Sequence, residues 1–227
     1  MKILAADTST NIVSVALLDA KKIKASVHKP YSRSLGSALI PIIDKLLNKA
    51  GCDIKKIDLF CIGIGPGSFT GLRASLATFR ALSITLKKPL IGISSFDVIA
   101  RNLNQASDIC VMTDARQGKV YARFYSKKSG SIIPVSGFML DKIENIITKI
   151  KKPTIISGNA VAIYKNEMLQ HKNKISIAEE EKLWHPDAKF LAKLALKKHA
   201  KAAAEDPFEL LPLYIYPKEC QIKKVNN

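Results

Sequence analysis

No apolar run in the 227 residues approaches the roughly 18 uncharged residues that a membrane span needs, so no membrane-spanning helix is expected. The N-terminal Met1-Lys2-Ile3-Leu4-Ala5-Ala6-Asp7 meets a carboxylate after four apolar residues, too soon for the apolar stretch of a secretory signal. The expectation is a cytoplasmic protein. Cysteines are few and unpaired in spacing: Cys52, Cys61, Cys110 and Cys220 form no C-x-x-C, which argues against a local zinc or redox site. Cys61 and Cys110 fall inside apolar runs and read as small buried hydrophobes. Histidines 28, 171, 185 and 199 form no H-x-x-x-H pair, so no metal is expected from local spacing. Ser-His-Asp and Cys-His catalytic pairings are equally absent from the spacing. The glycine-rich run at 65–71 is followed by no Gly-Lys-Ser/Thr, which removes the P-loop reading. Acidic residues are scarce, 19 against 36 basic ones, for a formal charge of +17. Such a surface favours polyanions. Yet only six of the basic residues are Arg, the side chain that reads phosphates and bases by its planar fork. The lysines are scattered, which a solvated surface explains equally well.

Hydrophobic residues make up 47%, enough for one large domain or two lobes with cores of their own. Ile3–Asp7, Ile12–Asp19 and Ile23–His28 read as strands. A helix over 34–50, a strand Leu59–Gly65, a helix from a Ser68 cap to Leu86, a strand Leu90–Ile93 and a helix Phe96–Leu103 follow. The second half repeats the order. Strands Ile109–Thr113, Val120–Ser126 and Ile132–Met139 precede a helix from about Asp141 to Ile150. A strand Thr154–Ser157 and helices from Ala160 and over Pro186–His199 complete it. Two copies of strand-strand-strand-helix-strand-helix are the α/β topology of the two-lobed actin, Hsp70 and sugar-kinase (ASKHA) superfamily, a duplicated βββαβα. Asp7 and Asp114 close the first strand of each copy. Residues 1–102 are expected to form a first lobe and 103–227 a second, with the polar stretch Arg101–Ser107 as the boundary. The C-terminal tail is expected to pack back on the first lobe, with Gln221–Asn227 frayed.

Several segments carry a chemical and a bland reading. Gly65-Pro66-Gly67-Ser68-Phe69-Thr70-Gly71 joins a buried strand to a helix, where free N–H groups could receive an anion. A tight turn with a Ser cap explains the same residues and is favoured by the residues alone. Asp7-Thr8-Ser9-Thr10 is placed where the superfamily holds phosphate or its metal, or is an Asx-type turn. Asp114 and Ser157-Gly158-Asn159-Ala160 could approach a nucleotide, or simply turn the chain. Asp7, Thr8, Ser9, Thr10, Asp114 and Gly158 are thus the candidate nucleotide contacts. Helices 34–50 and 68–86 carry more apolar surface than one core stripe requires. Burial between the lobes or contact with another protein would account for it, and the partner reading is preferred. Leu39, Ile40, Ile43, Leu47, Thr70, Arg73, Leu76, Ala77 and Arg80 are the candidate partner surface. His185 reads as a turn or cap residue before a helix and Trp184 as a packing anchor.

Over almost its full length the chain resembles the TsaB (YeaZ) family. The resemblance rests on Ile3–Thr10 with Ser14-Val15-Ala16-Leu17, on Gly65–Arg73 above all, on Thr113-Asp114-Ala115-Arg116-Gln117-Gly118-Lys119-Val120-Tyr121, and on Pro212-Leu213-Tyr214. It implies a degenerate relative of the catalytic subunit TsaD, without the TsaD metal site or a cofactor of its own. The implied role is a non-catalytic scaffold that pairs with TsaD through helices of its first lobe and is joined by the ATPase TsaE. Threonylcarbamoyl-adenylate is made elsewhere, and TsaD transfers its acyl group to the adenosine beside the anticodon of ANN-decoding tRNAs. The family further implies tRNA contact through the complex, ATP or ADP at the complex interface, and a homodimer where TsaD is absent. Leu35 stands where many relatives carry His, which removes a remnant of a metal ligand and argues further against catalysis; Lys119 stands where an acidic residue is common and Tyr216 where Arg is common, which puts nucleotide or tRNA contacts by the second lobe and tail in doubt. A nucleotide-dependent enzyme of the superfamily, or a glycopeptidase-like hydrolase, remains the alternative, and a plain nucleic-acid binder a third reading.

Overall fold

A computed structural model of the chain describes residues 1–31, 35–103, 108–200 and 206–215, the side chains of 35–37 excepted. The helix start at Ser34, the Leu35 side chain, most of the boundary stretch, Tyr216, Cys220 and the tail from 221 lie outside the described residues.

The first half opens with strands β1 (Lys2–Asp7), β2 (Ile12–Asp19) and β3 (Lys22–Pro30). Helix α1 (Leu35–Lys49), strand β4 (Leu59–Gly63), helix α2 (Phe69–Leu86), strand β5 (Leu90–Ile93) and helix α3 (Ser95–Asn102) follow. The five strands pair in the order β3-β2-β1-β4-β5, with β1, β2 and β3 antiparallel and β4 and β5 parallel to β1. The second half runs through strands β6 (Asp108–Asp114), β7 (Lys119–Lys128), β8 (Ser131–Pro134) and β9 (Met139–Lys142) into helix α4 (Ile143–Thr148). Strand β10 (Thr154–Ser157), helix α5 (Val161–Leu169), strand β11 (Ile175–Ile177) and helix α6 (Ala188–His199) complete it. Its sheet is ordered β11-β10-β6-β7-β8, with β9 also on β7. The antiparallel β6–β7 pair and the parallel β6–β10–β11 run mirror the first sheet element by element.

The central strands have no polar face because both faces are covered. On β1, Leu4 and Ala6 point into one core with Leu39, Ile43, Leu47, Leu76 and Phe79 of α1 and α2. Ile3 and Ala5 point into the other, against Ala188, Leu191, Ala192 and Ala195 of α6. Three alanines on that face let α6 lie close to the sheet. The second sheet has α4 and α5 on one face and α3 on the other. The helices are thus exchanged: α3 follows the first sheet in sequence but covers the second, and α6 follows the second sheet but covers the first. Cys61 and Cys110 are buried in these cores.

The third strand of the second half is not one strand over Ile132–Met139. It is split into β8 and β9, which pair with opposite ends of the long β7. Between them the Ser136 hydroxyl takes the Phe124 N–H at 2.9 Å, a ladder position that a backbone carbonyl would otherwise fill. Strand β4 stops at Gly63 and not Gly65, and β11 is too short to leave a sequence pattern. Helix α2 starts where its cap is: Ser68 Oγ accepts from the Gly71 N–H at 3.3 Å. It ends at Lys87, whose φ of 52° is left-handed, two residues before Pro89.

Candidate functional site

The turn after β1 is organised around Asp7, which is fully enclosed. Its Oδ1 accepts from the Ser9 N–H at 2.8 Å and from Ser9 Oγ at 2.7 Å. Its Oδ2 accepts from Ser95 Oγ at 2.6 Å. A Cβ on Gly63 would run into the same carboxylate, so the space around Asp7 is already filled. Burial pushes its carboxyl above the usual range, against the lowering effect of the Ser95 and Ser9 hydrogen bonds. Asp7 thus holds two loops together and does not face solvent. Of the candidate nucleotide contacts it is among the most enclosed, with both oxygens hydrogen-bonded within the protein.

The glycine loop is built onto that turn. Ser68 N donates to Ser9 O at 2.7 Å, and Thr8 Oγ1 donates to Gly71 O at 2.8 Å. A Cβ on Gly67 would meet Ser9 O, and one on Gly71 would meet Thr8 O. The motif needs glycine because two backbones touch there. Thr8 is accordingly buried. Gly158 is a third such contact, lying against the Met112 carbonyl at a φ of 113°.

The remaining candidates do converge. Ser9, Thr10 and Asp114 line a cleft of about 610 Å³ between the two sheets' loops, together with Arg116, Asn159, Tyr31, Phe69 and Tyr214. Asn159 Oδ1 accepts from the Asp114 N–H at 3.0 Å, and the Asp114 carboxylate accepts from the Arg116 N–H at 3.0 Å. Arg116 and Gln117 both have left-handed backbones, at φ of 62° and 54°. Such conformations are uncommon for non-glycine residues. Among the described residues no group of three or more His, Cys, Asp or Glu could hold a metal.

On the helices, sequence reasoning placed too many residues outward. Leu39, at 0% exposure, and Ile43, Leu47 and Leu76 lie in the core, because α1 and α2 pack on each other and on the sheet. Ile40 is 60% exposed, and Thr70, Arg73 and Ala77 also face out. Arg80 is turned to the chain's own C-terminal segment: Nε donates to Pro207 O and Nη2 to Leu210 O, each at 2.7 Å. Arg73 Nε donates to Tyr214 Oη at 3.1 Å, and its guanidinium lies 3.9 Å from the Phe69 ring centroid. Phe208 and Leu211 are exposed beside them.

Sequence patterns gave little sign of Ser95, and none of the long-range contact made by His185. Ser95 receives the Gly65 N–H at 3.1 Å while donating to Asp7, and only its place after a strand hinted at any role. His185 is buried, with Nδ1 3.1 Å from Thr10 Oγ1, a contact 175 positions apart that no local pattern reveals. Burial, with His28 nearby, pushes the His185 imidazole down to about 4. Trp184 is an anchor as expected, its Nε1 donating to Ala178 O at 2.8 Å.

The family TsaD, tRNA N6-adenosine threonylcarbamoyltransferase, matches over residues 23–224. The tRNA threonylcarbamoyladenosine biosynthesis protein TsaB of Buchnera aphidicola subsp. Schizaphis graminum is 29% identical over 211 residues, covering 88% of this chain and 95% of that one. TsaB of Bacillus subtilis is 27% identical over 236 aligned positions, covering 100% and 99%. The structure of YeaZ from Pseudomonas aeruginosa superposes with a TM-score of 0.82 at 26% identity, over 94% of this chain and 99% of that one. The duplicated sheets are those of the actin, Hsp70 and sugar-kinase fold.

Proposed function

The chain belongs to the TsaB (YeaZ) family of tRNA threonylcarbamoyladenosine biosynthesis proteins, and from that premise we propose that it acts as a non-catalytic scaffold subunit. It pairs with TsaD through the exposed side of α1 and α2, is joined by TsaE, and supports threonylcarbamoylation of the adenosine beside the anticodon of ANN-decoding tRNAs. The observation that carries the reading is the enclosure of Asp7. Asp7 is 1% exposed and three donors from Ser9 and Ser95 point at its oxygens, an arrangement that favours a structural role over phosphate or metal chemistry. The turn has become a strut, and Gly67 and Gly71 are part of it.

The outward side of α2 supports pairing. Thr70, Ala77 and Ala81 are small and exposed, Ile84 is exposed further along, and Ile40 adds an aliphatic from α1. Small side chains let a partner helix approach closely. The same side would serve a homodimer when TsaD is absent. tRNA is reached through the complex, ATP or ADP binds at the complex interface, and the cytoplasm is where the pathway's tRNA substrate resides. Among the described residues no helix is long and apolar enough to cross a membrane.

The alternative, a nucleotide-dependent enzyme, has one observation in its favour: the cleft that Ser9, Thr10 and Asp114 share. Both readings meet in one experiment. The purified chain is mixed with TsaD of the same organism, and mass is read by size exclusion with light scattering. A heterodimer is expected, lost in Ala77→Glu with the circular dichroism unchanged. Failure to pair with folded TsaD, together with nucleotide turnover by the isolated chain, would overturn the scaffold reading in favour of the enzyme.

A further inference from the structure

A second cavity, of about 580 Å³, opens on the side of α6 that turns away from the first sheet, and it shares no lining residue with the cleft. Its apolar wall includes Phe190 and Leu194 of α6. Its charged groups are Lys193 and Lys197 of the same helix, Lys21 from the β2–β3 turn and Arg101 from the last turn of α3. Three separate elements therefore bring four cations to one apolar hollow. Among the described residues no carboxylate lines it and none of the four cations forms an ion pair. Lys193 Nζ stands 5.5 Å from the Phe190 ring centroid, so charge and apolar wall are adjacent.

We propose that this cavity binds a small organic anion with an apolar body, such as an alkyl or aryl carboxylate or phosphate. The apolar body lies against Phe190 and Leu194 and leaves water, while the anionic head meets the lysines and Arg101. The volume falls within the roughly 300–1,000 Å³ of small-molecule sites, which are mostly apolar with a few convergent polar groups. Nucleic acid fits less well. It calls for an extended basic groove with several Arg and freely exposed rings. Among the described residues this hollow has one Arg, and its one ring, Phe190, is half-buried. The site is independent of pairing through α1 and α2.

Laurate below its micelle concentration is a suitable probe, titrated into the full chain by calorimetry. One saturable site per chain is expected. Lys193→Glu with Lys197→Glu should weaken it at least tenfold, and because Glu opposes the dipole at a helix C-terminus, the milder Lys193→Gln with Lys197→Gln is run beside it and should also weaken it. Dodecyltrimethylammonium, with the same chain and the opposite charge, should not bind. Phosphatidylglycerol vesicles separate a free anion from a head presented at a bilayer, and only free laurate is expected to bind. The proposal is overturned if laurate shows no saturable site, if the charge variants keep the wild-type affinity, if the cationic amphiphile binds equally well, or if the chain sediments with vesicles in place of binding free laurate. Binding of a short RNA at this face in competition with laurate would reassign it to nucleic acid.

Discussion

Ser95 Oγ lies 2.6 Å from Asp7 Oδ2, joining the N-terminus of α3 to the end of β1 across 88 positions of sequence. The bond makes the buried carboxylate a structural acceptor, and that predicts how its variants divide. Asp7→Ala leaves the Ser9 N–H and two hydroxyls without their acceptor and should cost ~2–4 kcal/mol in urea unfolding. Asp7→Asn keeps an acceptor for Ser9, and the Ser95 hydroxyl can turn to receive the amide. It should remain folded and pair with TsaD as wild type does. The folded carboxyl is raised by burial, so ionised Asp7 weakens the fold: its favourable contribution is complete below the unfolded value of 3.8 and is lost as pH rises toward the folded one. Asp7→Asn should therefore gain on the wild type as pH rises above 3.8. Equal loss of function in both variants, with both folded, would return Asp7 to a chemical role.

The glycines of the 65–71 loop should be unequal to glycines elsewhere. A methyl on Gly67 or Gly71 meets the backbone oxygen of Ser9 or Thr8, which has nowhere to move, and either Ala variant should lose ~3 kcal/mol. Gly118 also has a left-handed backbone, at a φ of 69°, but nothing lies within 4 Å of a Cβ there, so Gly118→Ala should cost only about 1 kcal/mol. Denaturant midpoints for the three variants check the order.

What the sequence conveyed well was periodicity and punctuation. β2 reads from Ile12 to Asp19 because its apolar run is bounded by polar turns, and α2 because Ser68 and Lys87-Lys88-Pro89 bracket it. The paired carboxylates Asp7 and Asp114 correctly mark equivalent strand ends. Orientation was the weak point. Leu39 and Leu76 lie in an apolar excess that two neighbours share, since α1 and α2 bury surface on each other as well as on the sheet, and no pattern says which neighbour takes which side. The alanines of α6 announce a close-packed face without saying that it lies on the first sheet. Arg73 and Arg80 share a helix face as their spacing requires, yet that face meets the chain's own residues 207–214, a tertiary contact with no local trace.

Acid should loosen the seam between the first sheet and α6. His185 is held neutral by burial, down to about 4, and half-buried His28 is lowered by the same cause although Asp187 opposes it. Below pH 6.5 the unfolded chain takes up protons that folded His185 refuses. The contribution is complete above pH 6.5 and is lost as pH falls toward 4. For His185 alone the loss amounts to roughly 2–3 kcal/mol. Urea unfolding from pH 7.5 to 4.5 should show it as a falling midpoint. His185→Gln should flatten that slope and be less stable than wild type at pH 7.5, where it gives up the fitted contact with Thr10.

Arg80 should prove to be the clasp of the C-terminal segment. Its two bonds fix the carbonyls of Pro207 and Leu210, and between them they seat the Leu210 side chain in the core of α1, α2 and the first sheet. Leu213 N donates to Ile64 O at 2.8 Å further along, so the segment has a second attachment and will not detach as a whole. In Arg80→Ala the two carbonyls turn to water, and local opening becomes ~1.4 kcal/mol easier, or about tenfold. Chymotrypsin should then cut at Phe208 or Leu211, both already exposed, about ten times faster than in wild type. Arg80→Lys keeps the charge without the fork and should fall between the two. If cleavage in Arg80→Ala stays at the wild-type rate, burial of Leu210 alone holds the segment, and Arg80 returns to the candidates for the partner face.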